Sequence, residues 1–192
     1  EEITVMPRRF PLEFRHGSRT DEHYAIIGTA HVSDGYPMYY DAVNEKGLGM
    51  AGLNFAVSAH YAEPQDGKQN IAQFEFIPWV LSQYATIEQA RSAIEKINLV
   101  GTTFDSRYPA AKMHWIIADK SGAITVEPTE SGLKIYDNAP GVLTNEPPFD
   151  MQMFNLNNYM NLSPKQPQNS FSNNLGLAAY SRGMGGLGLP GD

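Results

Sequence analysis

The sequence predicts an α+β fold, with helices packed against antiparallel sheets. The first reason is its order: strand-like segments fall into two groups, and two helical segments lie between them. The second is that hairpin-type turns rich in Asn, Ser and Gly join the strand-like segments.

The elements follow in order. Glu1 to Val5 has strand character, and Tyr24 to Ala30 is a short apolar run rich in Ile. Tyr36 to Val43 and Leu48 to Phe55 flank Asn44-Glu45-Lys46-Gly47, whose Asn and Gly suit a tight hairpin. Phe74 to Tyr84 is apolar all round, the pattern of a buried helix, with Pro78 tolerated near its first turn. Thr86 and Gln89 have capping-box spacing. Behind them Ile87, Ala90, Ile94 and Ile97 predict a single apolar helix face. Leu99 to Ala111 reads as a loop with Val100, Phe104 and Tyr108 set among Gly, Thr and Pro. A meander is expected next, from His114–Asp119, Ala123–Glu127 and Leu133–Tyr136, separated by Asp-Lys-Ser-Gly and Thr-Glu-Ser-Gly. Val142 to Thr144 is expected as a short fourth strand. Asn155 to Ser172, poor in core-forming residues, is expected to be a long surface excursion.

A chain of 192 residues, 42% hydrophobic and 18% charged, suits one globular domain or a large piece of one. Its net charge of −7 argues against nucleic acid as a partner, because neutralising phosphates requires clustered Lys and Arg. With no cysteine, disulfides, thiolate metal sites and an internal cysteine nucleophile are excluded for these residues. No apolar run approaches the roughly 20 residues of a membrane helix. Neither the opening at Glu1-Glu2-Ile3 nor the close at Leu189-Pro190-Gly191-Asp192 has the character of a terminus, so a fragment of a longer protein is expected.

Several motifs lead nowhere. Gly183-Met184-Gly185-Gly186-Leu187-Gly188 has GxGxxG spacing, but Leu189-Pro190-Gly191 forbids the helix that a pyrophosphate site requires. No two of His16, His23, His31, His60 and His114 are four residues apart, so no metal or other cofactor is expected. His114, at the start of a strand, reads as a packed or edge residue. No nucleophile-elbow pattern surrounds any serine, Ser181 included.

Two asparagines stand out by position. Asn54 ends the run Ala51-Gly52-Leu53, and Asn145 ends Gly141-Val142-Leu143-Thr144. Such an amide is either a turn former or a donor aimed at a developing oxyanion, a role worth roughly 3–4 kcal/mol. The residue pattern alone leaves both readings open.

The stretch Asn44-Glu45-Lys46-Gly47-Leu48-Gly49-Met50-Ala51-Gly52-Leu53-Asn54-Phe55 resembles the signature hairpin of the choloylglycine hydrolase family, which holds bile salt hydrolases and penicillin V acylases. Phe74-Glu75-Phe76-Ile77-Pro78-Trp79, Met113-His114-Trp115, Gly141-Val142-Leu143-Thr144-Asn145 and Tyr180-Ser181-Arg182-Gly183-Met184-Gly185-Gly186 resemble further blocks of that family in the same order. The last block and the hairpin are more similar to bile salt hydrolases.

The resemblance implies an N-terminal nucleophile hydrolase: an αββα sandwich, here incomplete, with residues 1–192 as one partial domain. It implies hydrolysis of glycine- or taurine-conjugated bile salts by an N-terminal cysteine whose own α-amino group handles the proton. Asn54 would be an oxyanion donor, and Asn145 would orient the nucleophile or the substrate amide. Loops at Ser33–Tyr40 and Leu99–Ala111 would line a slot for the sterol, through Phe104 and Tyr108 with Tyr40 and Ser33 beside them. Arg182 would pair with the glycine or taurine anion, its fork suiting a carboxylate. The resemblance further implies a homotetramer, to which Asn155–Ser172 would contribute, in the bacterial cytoplasm, with neither membrane nor nucleic acid as partner.

The sequence departs from the family where chemistry begins. Glu1 is no nucleophile and no cysteine replaces it, the Arg and Asp that follow the nucleophile are missing, and the chain as it stands is expected to be inactive. The alternatives are a penicillin V acylase, a non-catalytic bile-salt-binding relative, and an unrelated β-rich sugar-binding module.

Overall fold

The structure, a computed structural model, describes residues 1–17, 19–159 and 172–176. Strands β1 (Glu2–Met6), β2 (Leu12–Glu13), β3 (Arg19–Thr20), β4 (Ile26–Ser33), β5 (Tyr36–Asn44), β6 (Gly49–Asn54) and β7 (Gln69–Ala72) come first. A 3-10 turn at Gln73–Glu75 leads into helices α1 (Phe76–Gln83) and α2 (Ile87–Ile94). Strands β8 (Ile97–Val100), β9 (Met113–Asp119), β10 (Gly122–Thr129) and β11 (Gly132–Asp137) precede helix α3 (Phe149–Leu156). One compact unit, Glu1–Phe149, holds all of these strands; a second runs over Asp150–Asp192.

The two expected strand groups are not separate. They merge into one seven-stranded sheet in the order β1-β4-β5-β6-β9-β10-β11, antiparallel throughout. The seam is β6 against β9, from Gly49↔Ala118 to Asn54↔Met113. It forms because Met50 on one strand and Trp115 and Ile117 on the other are buried on the same face. Helix α1 lies on β4, β5 and β6, and α2 on β9 and β10. Phe76, Trp79, Val80 and Leu81 are thereby buried against the sheet. At Gly28 a β-carbon would lie 2.1 Å from the Asp41 carbonyl oxygen, so β4 and β5 approach each other as only glycine allows. On the other face Ile3, Val5, Ile27 and Val43 are exposed.

The Asn44 turn does more than reverse the chain. Its Oδ1 accepts from the Lys46 and Leu48 N–H groups at 3.0 and 3.1 Å, and its Nδ2 donates to the Leu81 and Tyr84 carbonyls, both at 2.8 Å. One buried amide thus closes the hairpin and satisfies carbonyls at the C-terminal end of α1.

Helix α2 begins as its sequence predicts: Thr86 accepts from the Gln89 N–H at 3.3 Å, and the Gln89 side chain accepts from Ala85 N–H at 2.9 Å. Its end differs from the periodicity. The helix stops at Ile94, and Ile97 opens β8, which pairs in parallel with β7 from Gln69↔Ile97 to Ala72↔Val100. Leu99 and Val100, expected in a loop, are therefore buried strand residues. Val142–Thr144 is not a strand. Asn138 accepts from the Gly141 and Val142 N–H groups and donates to the Val142 carbonyl, taking up partners a sheet neighbour would have used. Asn155 and Leu156, expected in the surface excursion, close α3; residues 160–171 lie outside the described residues.

Candidate active site

The β4–β5 hairpin, the 3-10 turn before α1, the loop after β8 and the start of β9 enclose a cavity of about 310 Å³. Phe104, Tyr108 and Tyr40, expected from sequence to line such a slot, all line it, with Phe74, Ile77 and Trp115 adding to its apolar wall. Polar groups are few: His31, Gln73, Arg107 and the tyrosine hydroxyls. His31 Nε2 lies 2.8 Å from the Tyr108 hydroxyl, and the two rings are in contact. Burial pushes the Tyr39 hydroxyl up to about 12, and that hydroxyl donates to the Thr4 carbonyl at 3.5 Å.

Several contacts hold the loop in place. Gln73 Oε1 accepts from Ala111 N–H at 3.1 Å, and the Tyr61 hydroxyl donates to the Ala111 carbonyl at 2.6 Å. Arg107 bridges this loop to the β4–β5 turn, pairing with Asp105 at 2.6 Å and Asp34 at 2.8 Å. Those two carboxylates, Asp105 foremost, raise the guanidinium above its ordinary range. Ser33 does not line the cavity. It is buried and reaches the site through Arg107, whose Nη2 donates to its hydroxyl at 3.3 Å.

Both asparagines are exposed; Asn54 ends β6, and Asn145 lies in the loop between β11 and α3. Asn54 is the last residue of β6 and pairs with Met113, a residue of the cavity wall. Paired residues on neighbouring strands point to the same face, so the Asn54 side chain leaves β6 on the cavity side. Asn145 is tied to that strand end by its neighbour. Glu146 accepts from the Val57 and Ser58 N–H groups at 3.0 and 3.2 Å and from the Ser58 hydroxyl at 2.9 Å. Burial opposes ionisation of Glu146, but the Ser58 hydroxyl and these N–H groups prevail and hold its carboxyl below the usual range.

A second carboxylate secures the far end of the same loop. Glu127, fully buried, accepts from Phe149 N–H at 3.0 Å and lies 2.8 Å from His114 Nδ1. Phe55, next to Asn54, stacks on the His114 ring at 4.3 Å. His114 is thus packed, as its position at a strand start suggested, and it joins the Asn54 strand end to the anchor of the Asn145 loop. The sequence reading passed over Glu127 and Glu146. The available signal was a carboxylate in the otherwise buried run Ile124-Thr125-Val126, since buried carboxylates are rare without a partner. Arg182 lies outside the described residues. Among the described residues, no group of three or more His, Cys, Asp or Glu is placed to hold a metal ion, and no helix is long and apolar enough to cross a membrane.

A cavity with a broad aromatic wall and a few polar groups is the arrangement of a small-molecule site. The chain belongs to the choloylglycine hydrolase family of linear amide C–N hydrolases, whose sequence model matches residues 1–192. It is 53% identical over 192 residues to the bile salt hydrolase/transferase of Lactiplantibacillus plantarum, covering 100% of this chain and 59% of that protein. It is 40% identical over 194 residues to the conjugated bile acid hydrolase of Lactobacillus gasseri, covering 61% of that protein. The structure is similar to that of a conjugated bile acid hydrolase variant from Clostridium perfringens, with a TM-score of 0.86 and 38% identity over 99% of this chain and 59% of the other. Penicillin V acylase from Agrobacterium tumefaciens shares the fold, with a TM-score of 0.63 at 24% identity over 78% of this chain and 45% of the other. The chain spans about 60% of the length of the curated relatives it matches.

Proposed function

We propose that the whole protein hydrolyses the amide bond of glycine- or taurine-conjugated bile salts, with an N-terminal cysteine nucleophile supplied from outside these 192 residues. The observation that carries this reading is the cavity. At about 310 Å³ it lies at the lower end of the range for small-ligand sites, roughly 300–1,000 Å³. Its broad aromatic wall suits the face of a steroid nucleus, and its few polar groups, the His31–Tyr108 pair and Gln73, suit a small number of ring hydroxyls. The names of the relatives support the same substrate class. Asn54, paired with Met113 of the cavity wall, would be the amide donor to the oxyanion. Asn145, held to the same strand end, would orient the nucleophile or the scissile amide. Arg182 remains the proposed partner of the conjugate's anion. A homotetramer in the bacterial cytoplasm belongs to the same reading, and light scattering that returned one protomer's mass would remove that part.

The experiment is turnover of glycocholate, taurocholate and penicillin V by the whole protein. Release of glycine or taurine, with kcat lowered about 10²–10³-fold by Asn54→Ala, is the expected result. Faster release of phenoxyacetate from penicillin V would move the protein to the acylase branch. Tight cholate binding without turnover of any of the three would make it a binding relative.

A further inference from the structure

Behind the cavity wall sits a cluster with no part in the proposed reaction. Arg15, on the segment after β2, donates from Nη2 to the Phe104 carbonyl at 3.0 Å and from Nη1 to the Thr103 carbonyl at 3.4 Å. Its guanidinium carbon lies 5.3 Å from the centre of the Phe74 ring and 5.9 Å from that of Phe104. The two rings meet edge to face at 5.2 Å, and both line the cavity, whereas Arg15 does not. A planar cation therefore lies over both aromatic walls while its fork holds the backbone that carries one of them.

The backbone of Arg15 is held in turn. Glu75, the residue after Phe74, accepts from Arg15 N–H at 2.6 Å. This carboxyl is 1% exposed, and its second oxygen has no hydrogen-bond partner. A carboxyl left half-satisfied in the interior costs stability, so it needs an explanation in what it holds. Tyr36 completes the cluster, its ring packed on Phe74 at 5.7 Å and on Phe104 at 5.9 Å.

We infer that Arg15 and Glu75 form a clamp that sets the spacing of Phe74 and Phe104 and so determines which steroid nuclei the cavity accepts. Both are positioning residues: they act on the substrate through the two aromatic walls. The inference rests on the reading of the cavity as the steroid site. Releasing the clamp removes ground-state and transition-state binding alike, because the steroid body stays in place as the amide reacts. KM then rises and kcat holds.

The test compares Arg15→Ala and Arg15→Lys in the whole protein, by glycocholate kinetics and by hydrogen exchange of peptides covering residues 101–111. Arg15→Ala is expected to raise KM about tenfold, with kcat within about twofold, and to speed exchange in the loop. Arg15→Lys keeps the cation but loses the fork, and is expected to fall between wild type and Ala. Unchanged KM and exchange in Arg15→Ala would overturn the clamp. So would a lowered melting temperature with unchanged KM, the mark of a merely structural residue. Absence of glycocholate turnover by the wild type would sink the proposed function instead, and the exchange rates alone would then decide whether Arg15 holds the loop.

Discussion

The cavity and the amide-bearing strand ends sit side by side but are held by opposite means. Around the cavity, Phe104 and Tyr108 ride on a loop fastened by exposed or half-exposed groups: Arg15 on two carbonyls, and Arg107 on Asp34 and Asp105. Exposed ion pairs such as those of Arg107 contribute about 0–1 kcal/mol each, and the Arg15 bonds are to neutral carbonyls, so the wall can yield without the fold failing. At the strand ends, the Asn145 loop is fastened by Glu127, fully buried, and by Glu146, both receiving backbone N–H groups. A carboxylate as deeply buried as Glu127 cannot lose its partners cheaply, so that anchor holds or the surrounding structure fails. In the proposed reaction, a site that accepts a bulky nucleus and places amides at one carbonyl would gain from both arrangements. The difference predicts that damage near the cavity appears in KM, and damage near the strand ends in stability and kcat.

The largest effect is expected at Glu127. Glu127→Ala leaves His114 Nδ1 and Phe149 N–H without their acceptor in a closed interior, and is expected to cost about 3–5 kcal/mol in urea unfolding of the whole protein. Glu127→Gln keeps one acceptor oxygen and is expected to cost much less. An alanine cost below about 1 kcal/mol would break the contrast, since the buried anchor would then behave like an exposed one.

Glu75 provides the next test, because it is a buried carboxyl on the cavity side of the contrast. Burial raises its pKa from 4.5 to about 7, against the pull of the Arg15 N–H. The folded state therefore holds a proton there that the unfolded chain has released, across the window from about 4.5 to about 7. Stability falls as pH rises through that window: the contribution is complete below it and lost above it. At roughly 1.4 kcal/mol per pKa unit the loss amounts to about 3 kcal/mol, and Glu75→Gln is expected to flatten that part of the stability–pH curve. A curve with the same slope in the variant would assign the titration to another group.

The same contrast explains how much could be read from the sequence. The family resemblance named the loops, and apolar residues on a loop are conspicuous, so Phe104 and Tyr108, with Tyr40 of β5, were expected where the cavity lies. The hairpin at Asn44 and the start of α2 at Thr86 were legible because their signals are local. What holds the site was not. Glu127 meets Phe149 and Glu146 meets Val57 across 22 and 89 positions of sequence, and no local periodicity records such a pairing. The failures of element assignment have the same origin. Ile97 continues a helical spacing, but the ladder with Gln69–Ala72 takes it into a strand. Val142–Thr144 has strand composition, but the Asn138 side chain holds both backbone groups of Val142, where the strand would begin. Nothing in the sequence around Arg15 foretells the rings of Phe74 and Phe104.

The smallest effect serves as the control. Thr86 caps α2, away from both halves of the site, by accepting the Gln89 N–H at 3.3 Å. Thr86→Ala removes that acceptor but leaves the Gln89 side chain on Ala85 N–H, so its cost belongs near the low end of the range for caps, about 0.5–1 kcal/mol. Helix α2 packs on β9 and β10, the strands that carry His114 and Glu127, so a disturbance spreading through the sheet would reach the amide end before the cavity. The expected result is a modest fall in stability with KM and kcat both unchanged. If Thr86→Ala lowered kcat, loss of stability by itself would weaken the amide end, and the Glu127 anchor would have no special claim on the chemistry.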